Sequence, residues 1–259
     1  MRWLGSHREH WGGNLRMRPL RTTPHASGAW RLNHGSQSVP WWIRVGAFAM
    51  LVDLLLLITH GLHHLGDKTG APDSVEYVFE SAAVWNGGRD GSLIELFGQA
   101  QLGAAGLLLI FMRMSTTRHR IFAVWGCVFL VITADDVLML HERAGNLLHL
   151  DRLAPSLTGS DPQALGGLVF WLVAATALGS WLLVAYRASP PYDRHGSATL
   201  IVTVAPMAIV GVVYVLLSAF HPAALGGPGG VVVVIRMMVK LLTMTMVLIQ
   251  AIRLFSGRP

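Results

Sequence analysis

The chain is short of charge and almost free of cysteine. Only 13% of its 259 residues are Asp, Glu, Lys or Arg, against about 25% in an average soluble domain. Apolar groups take the place of the lost charge, since 53% of residues are hydrophobic. That excludes a disordered chain and argues against an ordinary soluble enzyme. The single cysteine, Cys127, excludes an intrachain disulfide framework and any paired-cysteine motif. It sits inside an apolar block, where a small buried hydrophobe is expected. Acids are scarce as well: 14 Asp and Glu stand against 20 Lys and Arg, for a net charge of +6. In a soluble protein that excess suggests nucleic acid. Here the arginines gather in the N-terminal tail and short connections, so membrane topology explains them and no nucleic-acid partner is expected. The hydrolase signatures HExxH and GxSxG are also missing.

What is present is a series of apolar blocks near the length that spans a bilayer, about 20 residues. Six are recognisable: about Trp41–Leu62, Leu93–Met112, Ile121–Leu140, Leu165–Tyr186, Ala198–Phe220 and Val231–Phe255. The expected fold is all-α, a polytopic integral membrane helix bundle of about six spans. Trp41 and Trp42 open the first block as interfacial anchors. Pro206 lies inside the fifth and is expected to kink it.

Residues 1–40 precede this domain as a basic segment with Arg2, Arg8, Arg16, Arg18, Arg21 and Arg31, and with Glu9 as its only acid. It shows no sustained period and reads as disordered. Its first apolar block starts too far in for a secretory signal, and Met17 is an alternative start. Residues 41–255 form the membrane domain. Its connections alternate in charge. Arg113, Arg118 and Arg120, then Arg187 and Arg194, then Arg253 and Arg258 fall on the side of the tail. The other connections carry acids, as at Asp67, Asp73 and Glu76, or no charge. The positive-inside rule places both termini in the cytoplasm. In the first outer loop, Asp73-Ser-Val-Glu76 resembles a capping box, with Val75, Val78, Phe79 and Ala82 at helical spacing. A short amphipathic helix over about 73–85 is expected there, on the outer surface.

Ionisable groups inside the spans are costly and point to function. Asp53 and His60 are seven residues apart on the first block, and His64 follows His60 by four. Both steps keep them on one face. Glu95 and Gln99 are four apart on the second. On the third, Asp135, Glu142 and His149 repeat the seven-residue step, if one helix runs to about Leu150. His141 then points away from that stripe. Asp136 and Arg143 make a neighbouring stripe. On the sixth, Arg236, Lys240 and Thr243 share a face. Alternating spans bring these positions to the outer half of the bundle. Asp53, Asp135 or Asp136 are expected to pair with Arg236 and Lys240.

Two chemistries follow. Carboxylates with imidazoles suit a divalent metal such as Zn, Fe or Mn. Asp53, His60, His64, His141 and His149 are the candidate ligands. Asp135, Asp136 and Glu142 are the candidate acid–base groups. Arg236, Lys240, Glu95 and Gln99 would hold a substrate, such as a lipid or lipid-linked phosphate. Haem between paired outer histidines is a variant of this reading. The same side chains also suit a proton- or cation-coupled transporter. A third reading is a non-catalytic membrane subunit in which ion pairs only hold the bundle. Membrane lipids are the expected surroundings in each case.

His60-Gly-Leu-His63-His64 matches the HxxHH box of membrane fatty-acid desaturases, but the further boxes of that family are missing. The run Ala134-Asp135-Asp136-Val-Leu-Met-Leu-His141-Glu142-Arg143 resembles a pattern of uncharacterised bacterial multi-pass membrane proteins, with two acids followed by His-Glu at a helix end. The resemblance implies a bacterial inner-membrane protein and assigns no activity.

Overall fold

The computed structural model describes residues 39–69, 82–87, 91–114, 120–148, 162–220 and 231–257. The described elements are α1 (Trp41–Thr69), α2 (Ala82–Trp85), α3 (Leu93–Met114), α4 (Arg120–Leu138), α5 (Leu140–Leu148), α6 (Pro162–Arg187), α7 (Pro191–Phe220) and α8 (Val231–Ser256). No strand occurs among the described residues. Six helices (α1, α3, α4, α6, α7 and α8) are long and apolar enough to cross a membrane. The chain is therefore a multi-pass helical membrane protein. The N-terminal segment and most of the expected outer-loop helix lie outside the described residues, and only its last turn, α2, is seen.

α1 runs seven residues past its expected end, to Thr69, and two further boundaries differ for physical reasons. α7 starts at Pro191, roughly two turns before the apolar run. Proline suits a first helical position because its missing N–H would have no partner there. The Pro190 carbonyl accepts the N–H of Arg194 at 3.1 Å, closing that first turn. The Arg194 guanidinium in turn donates to the carbonyls of Tyr186, Arg187 and Ser189. The Tyr186 carbonyl also accepts the Ser189 N–H at 3.2 Å, so Arg194 reinforces the turn that ends α6. α7 also continues through Pro206 to Phe220.

The second boundary is a correction. The third block does not form one helix to Leu150. It breaks between α4 and α5 at Met139, whose φ is +52°. That is left-handed backbone, which a side chain with a Cβ rarely adopts. The expected stripe depends on an unbroken helix, and Asp135 and Glu142 do not share one; His149 lies outside the described residues.

The larger core cluster sits in one half of the bundle, and a smaller one of Ile94, Met237 and Leu241 sits in the other. Leu102, Ala105, Leu109 and Met112 of α3 pack on Ile121, Phe122, Trp125 and Phe129 of α4. Leu200 of α7 and Met244, Val247 and Ala251 of α8 complete the larger cluster. The Trp125 indole N–H donates to Ser197 Oγ at 2.8 Å, so its polar atom is satisfied within the core. From Leu168 to Arg187, α6 buries no residue within the chain, as expected for a helix facing lipid.

Helix association in lipid depends on close packing, because apolar side chains gain little by leaving lipid for protein. The α3–α4 contact illustrates this. A Cβ built on Gly126 would stand 2.5 Å from the Gly106 carbonyl oxygen. Both partners are backbone, so neither can swing aside. Gly126→Ala should therefore lower bundle stability by roughly 1–3 kcal/mol, the usual cost of overpacking. Gly179→Ala is the control, since nothing lies within 4 Å of a Cβ there. Thermal unfolding in detergent, followed by circular dichroism, checks the difference.

Candidate functional site

The buried or part-buried acids, lysine and histidine of α1, α3, α4 and α8 lie toward the end where α1 and α4 finish and α3 and α8 begin. They form separate clusters, at different depths, rather than one.

The first cluster joins α3, α4 and α8. Lys240 Nζ lies 2.9 Å from Glu95 Oε1 and 2.7 Å from Asp136 Oδ2. Gln99 Nε2 donates to the same Asp136 oxygen. The local sequence explains how Glu95 is aimed. Ser92 is the N-cap of α3, its Oγ accepting the Glu95 N–H at 3.3 Å. Ser92-Leu-Ile-Glu95 has the spacing of a capping box. Here the Glu95 carboxylate accepts from the Gly91 N–H at 3.0 Å instead. Gly91 has φ +76°, a conformation open to glycine. The Lys240 side chain retains only 14% exposure, Glu95 8% and Asp136 19%. Gln99 Oε1 is buried and accepts no hydrogen bond among the described residues.

The second cluster joins α1, α3 and α8 at greater depth. Asp53 is 0% exposed. Gln101 Nε2 donates to its Oδ1 at 3.2 Å. Thr245 Oγ contacts Asp53 Oδ2 and lies 2.8 Å from Gln101 Oε1.

The third cluster spans the α4–α5 break. Asp135 is 0% exposed. Its Oδ1 accepts the His141 backbone N–H at 2.8 Å, and its Oδ2 lies 3.0 Å from His141 Nδ1. Met139 occupies the cap position of α5, its carbonyl accepting from the Arg143 N–H at 3.0 Å. A methionine cannot cap a helix with its side chain, and Asp135 from the preceding helix does so instead. Glu142 falls in the first turn of α5, where a carboxylate is favoured by the helix dipole.

His60 is elsewhere again. It is 0% exposed, and its Nδ1 accepts the Gly87 N–H at 3.1 Å, with the Trp85 carbonyl 3.2 Å away. It fastens the segment before α3 onto α1.

Several expected pairings are thereby corrected. Asp53 pairs with Gln101 and Thr245, not with Arg236 or Lys240. Lys240 takes Asp136, but Arg236 does not join it. The Arg236 guanidinium lies 3.9 Å from the centre of the Tyr214 ring, facing α7. There it borders an apolar groove of about 200 Å³ with Ile209, Val213 and Ile235. His141, expected to point away from Asp135, is its partner, because the break at Met139 turns the chain. His60 and His141 belong to different clusters. The His64 side chain and His149 lie outside the described residues. Among the described residues no group of three or more His, Cys, Asp or Glu is placed to hold a metal ion. Gln101 and Thr245 were not singled out from the sequence. Their signal was two polar groups inside apolar blocks, one of them two residues after Gln99.

No family model, no curated protein and no solved structure matches this chain.

His141 lies outside the spans, with 34% of its side chain exposed. The Asp135 hydrogen bond raises its pKa above the ordinary 6.5, against a smaller opposing effect of burial. A histidine raised in the folded state stabilises fully below the unfolded value and loses this contribution as pH rises through the folded value. The stability advantage of the native protein over His141→Gln should therefore be largest in mild acid. It should shrink as pH rises above about 6.5. Paired melts of the two proteins across pH in detergent check this.

Proposed function

We propose that this chain is a proton- or cation-coupled membrane transporter, with Glu95, Lys240 and Asp136 as its coupling site. One observation carries the reading: a single ammonium is shared by two carboxylates. Fully ionised, the three groups leave one negative charge uncompensated. An uncompensated charge at such low exposure within the bundle is costly. A bound proton or small cation cancels it. Which acid Lys240 favours then depends on whether that ligand is present. The buried Gln99 carbonyl, without a donor among the described residues, adds an oxygen suited to a cation or a protonated acid.

The apolar core fits the same reading. Its larger cluster fills the half of the bundle away from Glu95, Lys240 and Asp136. A transporter that alternates access between the two sides needs such a barrier beside its site. The arginine-bearing connections support cytoplasmic termini. The resemblance of the Asp135–Arg143 run supports a bacterial inner membrane. A divalent-metal enzyme acting on lipid, or a haem protein, has weaker support. Lys240 already occupies both carboxylates, and His60 Nδ1 is taken by Gly87.

Flux into liposomes tests the proposal. Asp136→Asn leaves the neutral pair of Glu95 and Lys240, so the bundle should still fold. Wild-type protein should carry protons, or sodium or potassium ions, down an imposed gradient, and Asp136→Asn should reduce that flux at least tenfold. Wild-type flux equal to protein-free liposomes under all three gradients rejects the proposal. So does a stoichiometric divalent metal in purified protein that Glu95→Gln removes.

A further inference from the structure

The deeper cluster has a shortage of hydrogen atoms. Asp53, Gln101 and Thr245 touch each other pairwise, which makes three contacts between polar atoms. Each needs one hydrogen. The Thr245 hydroxyl has one. The Gln101 amide presents its nitrogen to one contact and its oxygen to the other, so it supplies one. Turning the amide over exchanges the two contacts and still supplies one. An ionised carboxylate supplies none. One contact of the three would then set two acceptors against each other.

The charge count points the same way. Asp53 has 0% exposure, within a helix that crosses the membrane. Among the described residues no lysine, arginine or histidine forms an ion pair with it. On α3 and α8, Glu95 stands six residues before Gln101 and Lys240 five before Thr245, and these two are engaged with each other. Five residues are about 8 Å along the helix axis. Ionised, Asp53 would be a lone charge with no water to solvate it.

We propose that Asp53 is a proton-binding site, held as the neutral carboxylic acid within a closed ring of three hydrogen bonds. Asp53 donates its proton to Thr245 Oγ, Thr245 donates to Gln101 Oε1, and Gln101 Nε2 donates back to Asp53 Oδ1. The ligand is a proton rather than a metal ion, because the polar atoms touch directly and leave no space between them. The inference rests on this ring alone and does not depend on the transport reading.

Infrared spectroscopy of the detergent-purified full chain tests it. A protonated carboxyl gives a C=O stretching band above the amide region, which shifts on exchange into D2O. The native protein should show that band at neutral and mildly alkaline pH. Asp53→Asn should remove it, and Asp136→Asn should leave it in place. The amide that Asp53→Asn introduces can donate to Thr245 and accept from Gln101, so the variant's melting temperature should stay close to that of the native protein. Should Asp53→Asn fail to fold, Thr245→Val keeps the carboxyl but removes its acceptor, and should shift the band. A native spectrum without the band overturns the proposal. So does a band that neither Asp53→Asn nor Thr245→Val alters, which then belongs to another acid.

Discussion

The bridge of Lys240 between Glu95 and Asp136 is the constraint on which the polar end of this bundle depends. It ties α8 to the start of α3 and the end of α4. Each charge is tolerable in a span only because the others are there. Removing any one member alters the balance of the other two. This makes the register of three helices an electrostatic matter as much as a steric one. A slide of α8 by one turn would move Lys240 about 5.4 Å from both acids. The glycine crossing of α3 and α4 sets the distance between two of these helices, and the ion pairs set their relative height.

Much of the architecture was legible in the sequence. The six spans follow from block length and hydropathy, and their order brings the right ends together. The pairing of Lys240 with Asp136 was legible too, because cost identifies charged groups and alternation sets their depth. Partners that carry no charge were harder to see. Gln101 and Thr245 stand out weakly in an apolar run, yet they enclose Asp53. Arg236 shows the opposite error. Charge alone suggested an acid as its partner, whereas the ring of Tyr214 serves instead. The break at Met139 was hidden for another reason. Nothing local requires it, since methionine is a good helix former and neither glycine nor proline is near. The left-handed turn is bridged by Asp135, which caps a helix that begins beyond it. A seven-residue period drawn through such a point links residues that the chain has already turned apart.

The division of the bundle into a polar half and an apolar half has a counterpart in how its helices are joined. In the polar half, contacts run between long side chains with several rotamers. In the apolar half, α3 and α4 pass so near each other that a Cβ on Gly126 would stand 2.5 Å from the Gly106 carbonyl oxygen. A side chain at a constriction can act as a gate by changing rotamer. A carbonyl in a helix cannot, because its hydrogen bond fixes its direction. At the point where Gly106 and Gly126 face each other, no side chain of theirs can swing aside. Any widening there requires α3 and α4 to separate as whole rods. Such a step is concerted, and slow compared with the swing of a single residue.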